Sequence, residues 1–254
     1  MMPYFHISEP PELAAFRTGK PDATWTDLKA TMNVNLAVKS AVPKKGGGLC
    51  IYCEQKLIDK FDFQVEHFEP KKGDKNSTYT PSEPNWAIYW NNLLPACLGG
   101  TAPRSNMPIL ISDSESRVYT SKNNISCGQF KGEKKPKDGF IPPEKISSTE
   151  VIFLYEVDGK MKFNQNAKNL RELNKAAVDK HIELLNLNCD RLKRARAKFA
   201  ILLEDEFAIA QQSDEDVSDL IENWLTPNSD GLLDQPFFSL ILSRYKNLVA
   251  QAET

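Results

Sequence analysis

The stretch LCIYCE, residues 49–54, contains a C-x2-C knuckle, and the prediction of the fold starts from it. Two thiolates at this spacing can reach one metal ion from a tight turn, as structural zinc requires. Zinc needs four such ligands. Cys97 and Cys127 are the other cysteines nearby in sequence, whereas Cys189 stands apart. We therefore predict a structural Zn²⁺ ion held by Cys50, Cys53, Cys97 and Cys127.

Two alternatives remain open for these cysteines. Redox sites also use a C-x2-C pair, but they normally lie between a strand and a helix. Gly48 and Leu49 before the knuckle favour a hairpin instead. Cys97 could also be a buried apolar residue, because it and Cys127 lie too far apart to form a second knuckle.

The composition is that of an ordinary globular protein, with 41% apolar and 26% charged residues. No apolar run approaches the length that spans a membrane, and the first residues lack the layout of a signal peptide. We expect a cytoplasmic protein without membrane contact. In that reducing compartment, clustered cysteines are more often metal ligands or catalytic groups than disulfides.

The formal net charge of -2 is unevenly distributed along the chain. Residues 44–137 carry a net charge of +4, and residues 199–254 carry -9. A basic middle suits a polyanion such as nucleic acid, whereas an acidic end does not.

Hydrophobic periodicity and turn residues divide the chain into three segments of an α+β protein. Residues 1–43 are predicted to be a helical segment, which ends at Pro43 and the following glycines. Residues 44–137 contain short strands and turns, including a period-2 strand that ends at His67. Residues 138–254 are predicted to form a hairpin followed by helices.

Four details of these segments are specific enough to be checked. The second N-terminal helix opens at Trp25 and is predicted to bury Leu28, Met32 and Leu36. A hairpin is predicted to turn at Asp158-Gly159. Asn188 is expected to cap the long helix that follows it. A final helix is predicted from Pro236 to Ala250.

His67 differs from the other two histidines in its sequence context. It follows Glu66 and lies between the knuckle and Cys97, whereas His181 lies in a helical run and His6 lies near a terminus. We interpret His181 as structural. A histidine with a pKa near the unperturbed value of about 6.5 can accept a proton at neutral pH, and we expect such a pKa for His67.

Four motifs, taken in their order, resemble the motif of HNH nucleases. They are Cys50-x-x-Cys53, Val65-Glu66-His67-Phe68-x-Pro70, Trp90-Asn91-Asn92-Leu93-Leu94-Pro95-Ala96-Cys97 and Cys127-x-x-x-Lys131-Gly132. The resemblance implies a ββα-metal (HNH) module with a four-cysteine zinc site, flanked by N-terminal and C-terminal helices. It also implies hydrolysis of a phosphodiester bond in DNA or RNA.

The resemblance implies roles for three residues. His67 is expected to be the general base. Glu66 and Asn92 are candidate oxygen ligands of a catalytic divalent ion, most plausibly Mg²⁺. Strand alternation directs Glu66 away from His67 unless the strand ends or bulges there, and Asn92 could instead orient His67 or the loop between the strands. The motif departs from the family at Gly128, where Asn, Asp or His often follows the fourth cysteine.

Basic residues around the motif are candidates for contacts with phosphates, which give affinity without sequence choice. A solvated face is the alternative for each of them. The candidates are Lys71, Lys72, Lys131, Lys134 and Lys135.

Further motifs are similar to the HNH subunit of Septu and retron-associated anti-phage systems. They are Trp25-x-Asp27-Leu28, Cys50-Ile51-Tyr52-Cys53-Glu54, the long Cys97–Cys127 spacing and Leu185-Asn186-Leu187-Asn188-x-x-x-Leu192-x-x-x-Arg196. This resemblance covers most of the chain. It implies an ABC-type ATPase as partner, a retron reverse transcriptase with its RNA/DNA as a further partner, and nucleic-acid cleavage in phage defence.

Two other functions remain as alternatives. The first is a zinc-stapled nucleic-acid-binding module without catalysis, and the second is a structural adaptor. For the acidic C-terminal part, we expect that the helix from residue 236 onward docks to the ATPase, because its residues 237–242 are apolar on more than one face. On this hypothesis, deletion from Asp230 onward would leave zinc binding by residues 44–137 intact.

Overall fold

Two short antiparallel strands follow the cysteine knuckle and carry the motif residues. The computed structural model describes residues 4–57, 62–71, 84–101, 122–146, 150–167, 173–213 and 216–252. Strand β1 (Gln64–His67) pairs with β2 (Leu93–Ala96), so that His67 lies opposite Leu93 and Glu66 lies opposite Leu94. The strand predicted to end at His67 is confirmed.

Among the described residues, three α-helices precede the knuckle: α1 (Pro11–Gly19), α2 (Trp25–Ala30) and α3 (Met32–Ala41). A 3-10 helix, Val42–Gly46, follows them. Thr24 and Asp27 form a capping box that starts α2. The predicted stripe Leu28, Met32 and Leu36 is wrong beyond Leu28, because the chain turns at Thr31, where ψ is 96°. This turn re-aims α3, so that Met32 and Leu36 are exposed.

The buried faces of these helices form a core of their own around Trp90. Its members come from α1, α2 and α3 and from the segment that enters β2. They are Leu13, Phe16, Ala23, Leu28, Val34, Val38, Val42, Ala87, Ile88, Trp90 and Leu93. The N-terminal helices therefore pack against the strand that pairs with His67.

The chain beyond Cys127 packs on the knuckle from the other side. It begins with the short helix α4 (Cys127–Lys131) and continues to the hairpin of β3 (Phe153–Tyr155) and β4 (Met161–Phe163). Helices α5 (Lys175–Leu184) and α6 (Asp190–Gln212) follow. The hairpin turn at Asp158-Gly159 is confirmed.

Asn188 has a role other than the predicted cap of α6. Its side chain accepts from the Met161 amide and donates to the Met161 carbonyl at 2.8 Å each, which fixes β4 to the start of the helix. Cys189 occupies the N-cap position, without a side-chain hydrogen bond to the helix. The prediction was wrong by one residue, because Asn188 stabilises a tertiary contact.

The last two helices, α7 (Val217–Leu225) and α8 (Phe238–Ala252), bury the apolar residues of 237–242 inside the chain itself. Phe238 and Leu242 join the core that contains the cysteines, whereas Phe237, Leu240 and Ile241 join a third core with α6 and α7. The two apolar faces thus have two intramolecular neighbours. The sequence argument for a partner at this helix was therefore wrong.

The knuckle depends directly on this C-terminal part. The Leu233 amide donates to the Gly47 carbonyl at 2.8 Å, and the Phe237 amide donates to the Glu54 carbonyl at 2.9 Å. The Glu54 carboxylate accepts from the Ser239 amide at 2.9 Å and from its hydroxyl at 2.8 Å. Deletion from residue 230 onward would therefore remove part of the metal site's support, contrary to the sequence expectation.

Within the part of the chain that the structure describes, none of the helices combines the length and apolar character needed to cross a bilayer.

Gly159, at the hairpin turn, allows a prediction about packing. Its φ is 81°, and an added Cβ would lie 2.0 Å from the Lys193 carbonyl oxygen on α6. We expect Gly159→Ala to lower the free energy of unfolding by the cost of a left-handed alanine, about 1–2 kcal/mol, plus an overpacking cost of about 1–3 kcal/mol.

The matched control is Gly231→Ala, where φ is 77° and nothing lies within 4 Å of the added Cβ. This control carries the backbone cost alone. Denaturant unfolding of both variants measures the difference. Equal losses of stability in Gly159→Ala and Gly231→Ala would show that the hairpin does not approach α6 as closely as described.

Candidate metal centre and active site

The four predicted cysteines converge in the main core. Their sulfur atoms all lie within 4.8 Å of one another, all four are buried, and Cys53 Sγ is 3.7 Å from Cys97 Sγ. A tetrahedral zinc with Zn–S bonds of about 2.3 Å has sulfurs about 3.8 Å apart. The donor set and its spacing therefore fit one zinc ion, and Cys189 lies outside the cluster.

Backbone hydrogen bonds bring the cysteines together from three elements. The knuckle is a hairpin in which the Cys50 amide donates to the Gln55 carbonyl at 2.9 Å. The Ile51 amide donates to the Pro95 carbonyl of β2 at 2.8 Å, two residues before Cys97. Cys127, with a φ of 57°, donates its amide to the Leu185 carbonyl at 2.9 Å. The hairpin that the glycines predicted is confirmed.

His67 is held in one orientation at the end of β1. Its Nε2 lies 3.0 Å from the Ala87 carbonyl oxygen, and its ring meets the edge of Trp25 with centroids 4.8 Å apart. A carbonyl only accepts, so Nε2 carries the proton and Nδ1 presents a lone pair. Burial lowers the pKa of His67 to about 4, so the expectation of an ordinary pKa near 6.5 was wrong. The imidazole is neutral at physiological pH.

Asn92 closes the loop between the two strands. Its Oδ1 accepts from the Glu69 amide at 2.6 Å, while its Nδ2 donates to the Glu69 carbonyl at 2.9 Å and the Trp86 carbonyl at 2.7 Å. These bonds tie Glu69, two residues after His67, to Trp86, which directly precedes the Ala87 that contacts the His67 ring. The geometry thus matches the alternative in which Asn92 orients the loop.

Glu66 lies on the other face of β1 from His67 and pairs with Lys131. The Lys131 ammonium is 3.1 Å from Glu66 Oε1 and donates to the His67 carbonyl at 3.0 Å. Burial raises the pKa of Glu66, and the charge of Lys131 offsets part of that rise. An added Cβ at Gly128 would lie 2.5 Å from Glu66 Oε2. The Glu66 carboxylate thus fills the space that a side chain after the fourth cysteine would need.

The two candidate ligands of a divalent ion are not brought together. Glu66 is engaged with Lys131, whereas Asn92 is engaged with Glu69 and Trp86, and these two sets of partners have no residue in common. Among the described residues, the four cysteines form the one cluster of three or more His, Cys, Asp or Glu suited to a metal. Glu66 and Asn92 as placed do not fit a magnesium site.

Lys45 is a residue of the site that sequence reasoning missed. It is fully buried and donates to the carbonyls of Trp90 at 2.5 Å and Leu93 at 3.0 Å, while its ammonium lies 3.6 Å from the centre of a Trp90 ring. Burial lowers the pKa of Lys45 to about 7. The sequence around Lys45, a second lysine followed by three glycines, has no apolar pattern that would predict burial. Lys45 holds the carbonyls at the start of β2, opposite His67.

The predicted phosphate contacts fall into three groups. Lys71 and Lys134 are exposed and Lys135 is half-buried, so these three can reach a ligand. Lys72 lies outside the described residues. Lys131 has only 2% of its surface exposed and pairs with Glu66, so the prediction that it contacts phosphate was wrong.

The geometry of the cysteines leads to a prediction about metal content. We expect about one zinc per chain, and we expect Cys97→Ser and Cys127→Ser each to lose metal and thermal stability together, because the ion ties three elements to one core. Elemental analysis and thermal denaturation measure both. Cys189→Ser, at a buried cysteine outside the cluster, is the control and keeps its zinc. Full zinc occupancy in Cys127→Ser would exclude this ligand set.

A comparison with known proteins supports the resemblance to nucleases. No protein-family model matches the chain. The chain is similar to an Escherichia coli protein described as "Retron Ec83 putative HNH endonuclease", with 30% identity over 201 residues that cover 73% of this chain and 74% of that protein. Together with the strand pair that carries His67 beside a four-cysteine cluster, this similarity shows that the chain belongs to the HNH endonucleases.

Proposed function

We propose that the chain hydrolyses phosphodiester bonds of nucleic acid with His67 as the general base. The observation that carries the proposal is the hydrogen bond from Nε2 to the Ala87 carbonyl, which leaves Nδ1 as the proton acceptor. A general base accelerates the reaction only when it is held within hydrogen-bond reach of the proton that it removes. Trp25 and Ala87 provide that restraint.

In the proposed reaction, a water molecule gives its proton to His67 Nδ1 while its oxygen forms a bond to phosphorus. The bond from phosphorus to the leaving oxygen breaks, and that oxygen must be protonated or otherwise stabilised. The low pKa of His67 ensures that it is neutral before attack, although it makes the base weak. The negative phosphate of a bound substrate would raise this pKa and strengthen the base.

Exposed cations next to the strand pair support a polyanionic substrate. Lys71 lies four residues after the end of β1, and its charge acts on both Glu66 and His67. Lys134 and Lys135 follow α4. These residues would bind phosphates without reading sequence, and DNA and RNA are both candidate substrates.

We further propose that the nuclease acts in anti-phage defence, with an ABC-type ATPase and a retron reverse transcriptase with its RNA/DNA as partners. Two observations support this role: the motifs shared with the HNH subunit of Septu and retron-associated systems, and the retron named in the description of the similar Escherichia coli protein.

Removal of the base is the first test. We expect His67→Ala to lower the rate of cleavage of labelled DNA or RNA by about 10²–10⁴-fold, with zinc content unchanged because His67 does not touch the cysteines. Assays with magnesium, with other divalent ions and with a chelator also measure metal dependence. His6→Ala, at an exposed histidine, is the matched control.

Cleavage by His67→Ala at the wild-type rate would remove His67 from the mechanism and favour a contaminating nuclease. Asn92→Ala is expected to impair cleavage through the loop, since it removes three hydrogen bonds. The stability of the Asn92→Ala protein should fall as well, whereas replacement of a residue that acts only in the chemical step should leave stability unchanged.

The partner surface is the second test. Helix α6 exposes Ile201, Leu202 and Ile209 on one side, in the acidic part of the chain. We expect the triple replacement of these three by Gln to reduce co-purification with a co-expressed ABC-type ATPase, while zinc content and thermal stability stay unchanged.

The control replaces Met32 and Leu36, which are the exposed apolar residues of α3. Loss of the ATPase from this control, with retention by the α6 variant, would place the contact on the N-terminal helices instead.

A further inference from the structure

Arg191, in the first turn of α6, lies buried beside the cysteine cluster with 1% of its surface exposed. Its Nη1 donates to Gln55 Oε1 at 2.7 Å, and its Nη2 donates to Ser126 Oγ at 2.6 Å. Gln55 lies two residues after Cys53, and Ser126 directly precedes Cys127. Gln55 Oε1 lies 3.9 Å from Cys53 Sγ, and Ser126 Oγ lies 3.4 Å from Cys127 Sγ. The guanidinium therefore contacts two residues that each contact a cysteine sulfur.

The direction of the hydrogen bonds through Ser126 is fixed by the arginine. A guanidinium only donates, so Ser126 Oγ accepts from Nη2. The hydroxyl hydrogen of Ser126 is then available for the Cys127 sulfur, which accepts it when the cysteine is a thiolate. The pair thus forms a donor chain that ends on a metal ligand.

The charge of the centre explains why such a residue is needed. A zinc ion with four thiolates carries a net charge of about -2, and a buried charge is costly unless it is paired and hydrogen-bonded. Burial lowers the pKa of Arg191, but the negative charges of Cys97, Cys53, Cys127 and Cys189 together raise it by more. Arg191 is therefore a buried cation whose charge acts on the cysteine sulfurs and which contacts two of their neighbours, Gln55 and Ser126.

We propose that Arg191 is the charge-compensating and positioning residue of the zinc centre, acting on the thiolates directly and through Ser126. This inference rests on the proposed zinc site and is independent of the cleavage reaction. The absence of a side chain at Gly100 is needed for this placement of Arg191, because an added Cβ there would lie 2.7 Å from Arg191 Nε. The chain beyond Cys97 leaves room for the guanidinium.

A merely structural role for Arg191 makes a different prediction, and α6 offers a matched control. The backbone of Arg191 is also held in place, because its amide donates to Asn124 Oδ1 at 2.9 Å. Arg196 is an equally buried arginine on the same helix, but its Nη1 donates to the Leu187 carbonyl at 2.8 Å, away from the four cysteines. If Arg191 only joined elements, removing either guanidinium would affect zinc only through stability.

The experiment measures zinc affinity of the full chain by competition with a chromophoric chelator. We expect Arg191→Gln to bind zinc about 10- to 100-fold more weakly than wild type, which is the usual cost of losing an outer-shell partner. Arg191→Lys, which keeps the charge, should recover part of this loss. Arg196→Gln should bind zinc like wild type even when its melting temperature falls as far. Equal zinc affinities for Arg191→Gln and Arg196→Gln would overturn the proposal.

Ser126→Ala keeps the proposal testable if Arg191→Gln fails to fold. It removes only the hydroxyl between Arg191 and Cys127. We expect weaker zinc binding and a shift of the thiolate-to-cobalt charge-transfer band in the Co²⁺-substituted protein. An unchanged band and unchanged affinity would contradict the donor chain. If wild type binds neither zinc nor cobalt, the zinc site itself is wrong, and this outcome is separate from any loss of nuclease activity.

Discussion

The convergence of four cysteine sulfurs is the constraint on which the rest of the structure depends. Two sulfurs come from a hairpin, one follows β2 and one starts α4, so the cluster joins elements far apart in sequence. The strands that carry the active-site motif have four residues each, and a two-stranded pair of that size has little stability alone. The cysteines belong to the same core as α5 and α8, so metal binding and folding of the C-terminal helices are coupled.

A second layer of restraint acts on the backbone around His67. Two buried lysines and one asparagine hold main-chain groups of this region: Lys131 holds the His67 carbonyl, Lys45 holds the carbonyls of Trp90 and Leu93, and Asn92 bridges to Glu69. Buried polar groups of this kind are stable only when they are hydrogen-bonded. The region lacks a long sheet to satisfy its carbonyls, and the lysine ammonium groups replace the missing partners.

The sequence was sufficient to predict what depends on spacing and order. The cysteine set, the strand ending at His67 and the hairpin at Asp158 follow from local patterns, and the structure contains all of them. It was insufficient where a tertiary contact decides the outcome. Met32 fits a helical stripe, but the turn at Thr31 turns it outward. Lys45 and Lys131 have the composition of a solvated face, and their burial depends on carbonyls and a carboxylate contributed from elsewhere in the chain.

The same burial that orients His67 also limits it as a base. Neutral imidazole with a fixed tautomer is the form that accepts a proton, and the contact with Trp25 and Ala87 selects it. Desolvation, however, lowers the folded-state pKa to about 4, below the value of about 6.5 in an unfolded chain. Because the folded pKa is the lower one, the unfolded chain binds more protons between these values, and stability falls as the pH drops from about 6.5 to about 4. Acid therefore opposes the folded geometry before it protonates the folded histidine. In the proposed mechanism, the negative charge of a bound phosphate would raise the pKa of His67 again. On that proposal, the base strength of His67 would be a property of the complex with nucleic acid, whereas its orientation is a property of the chain alone.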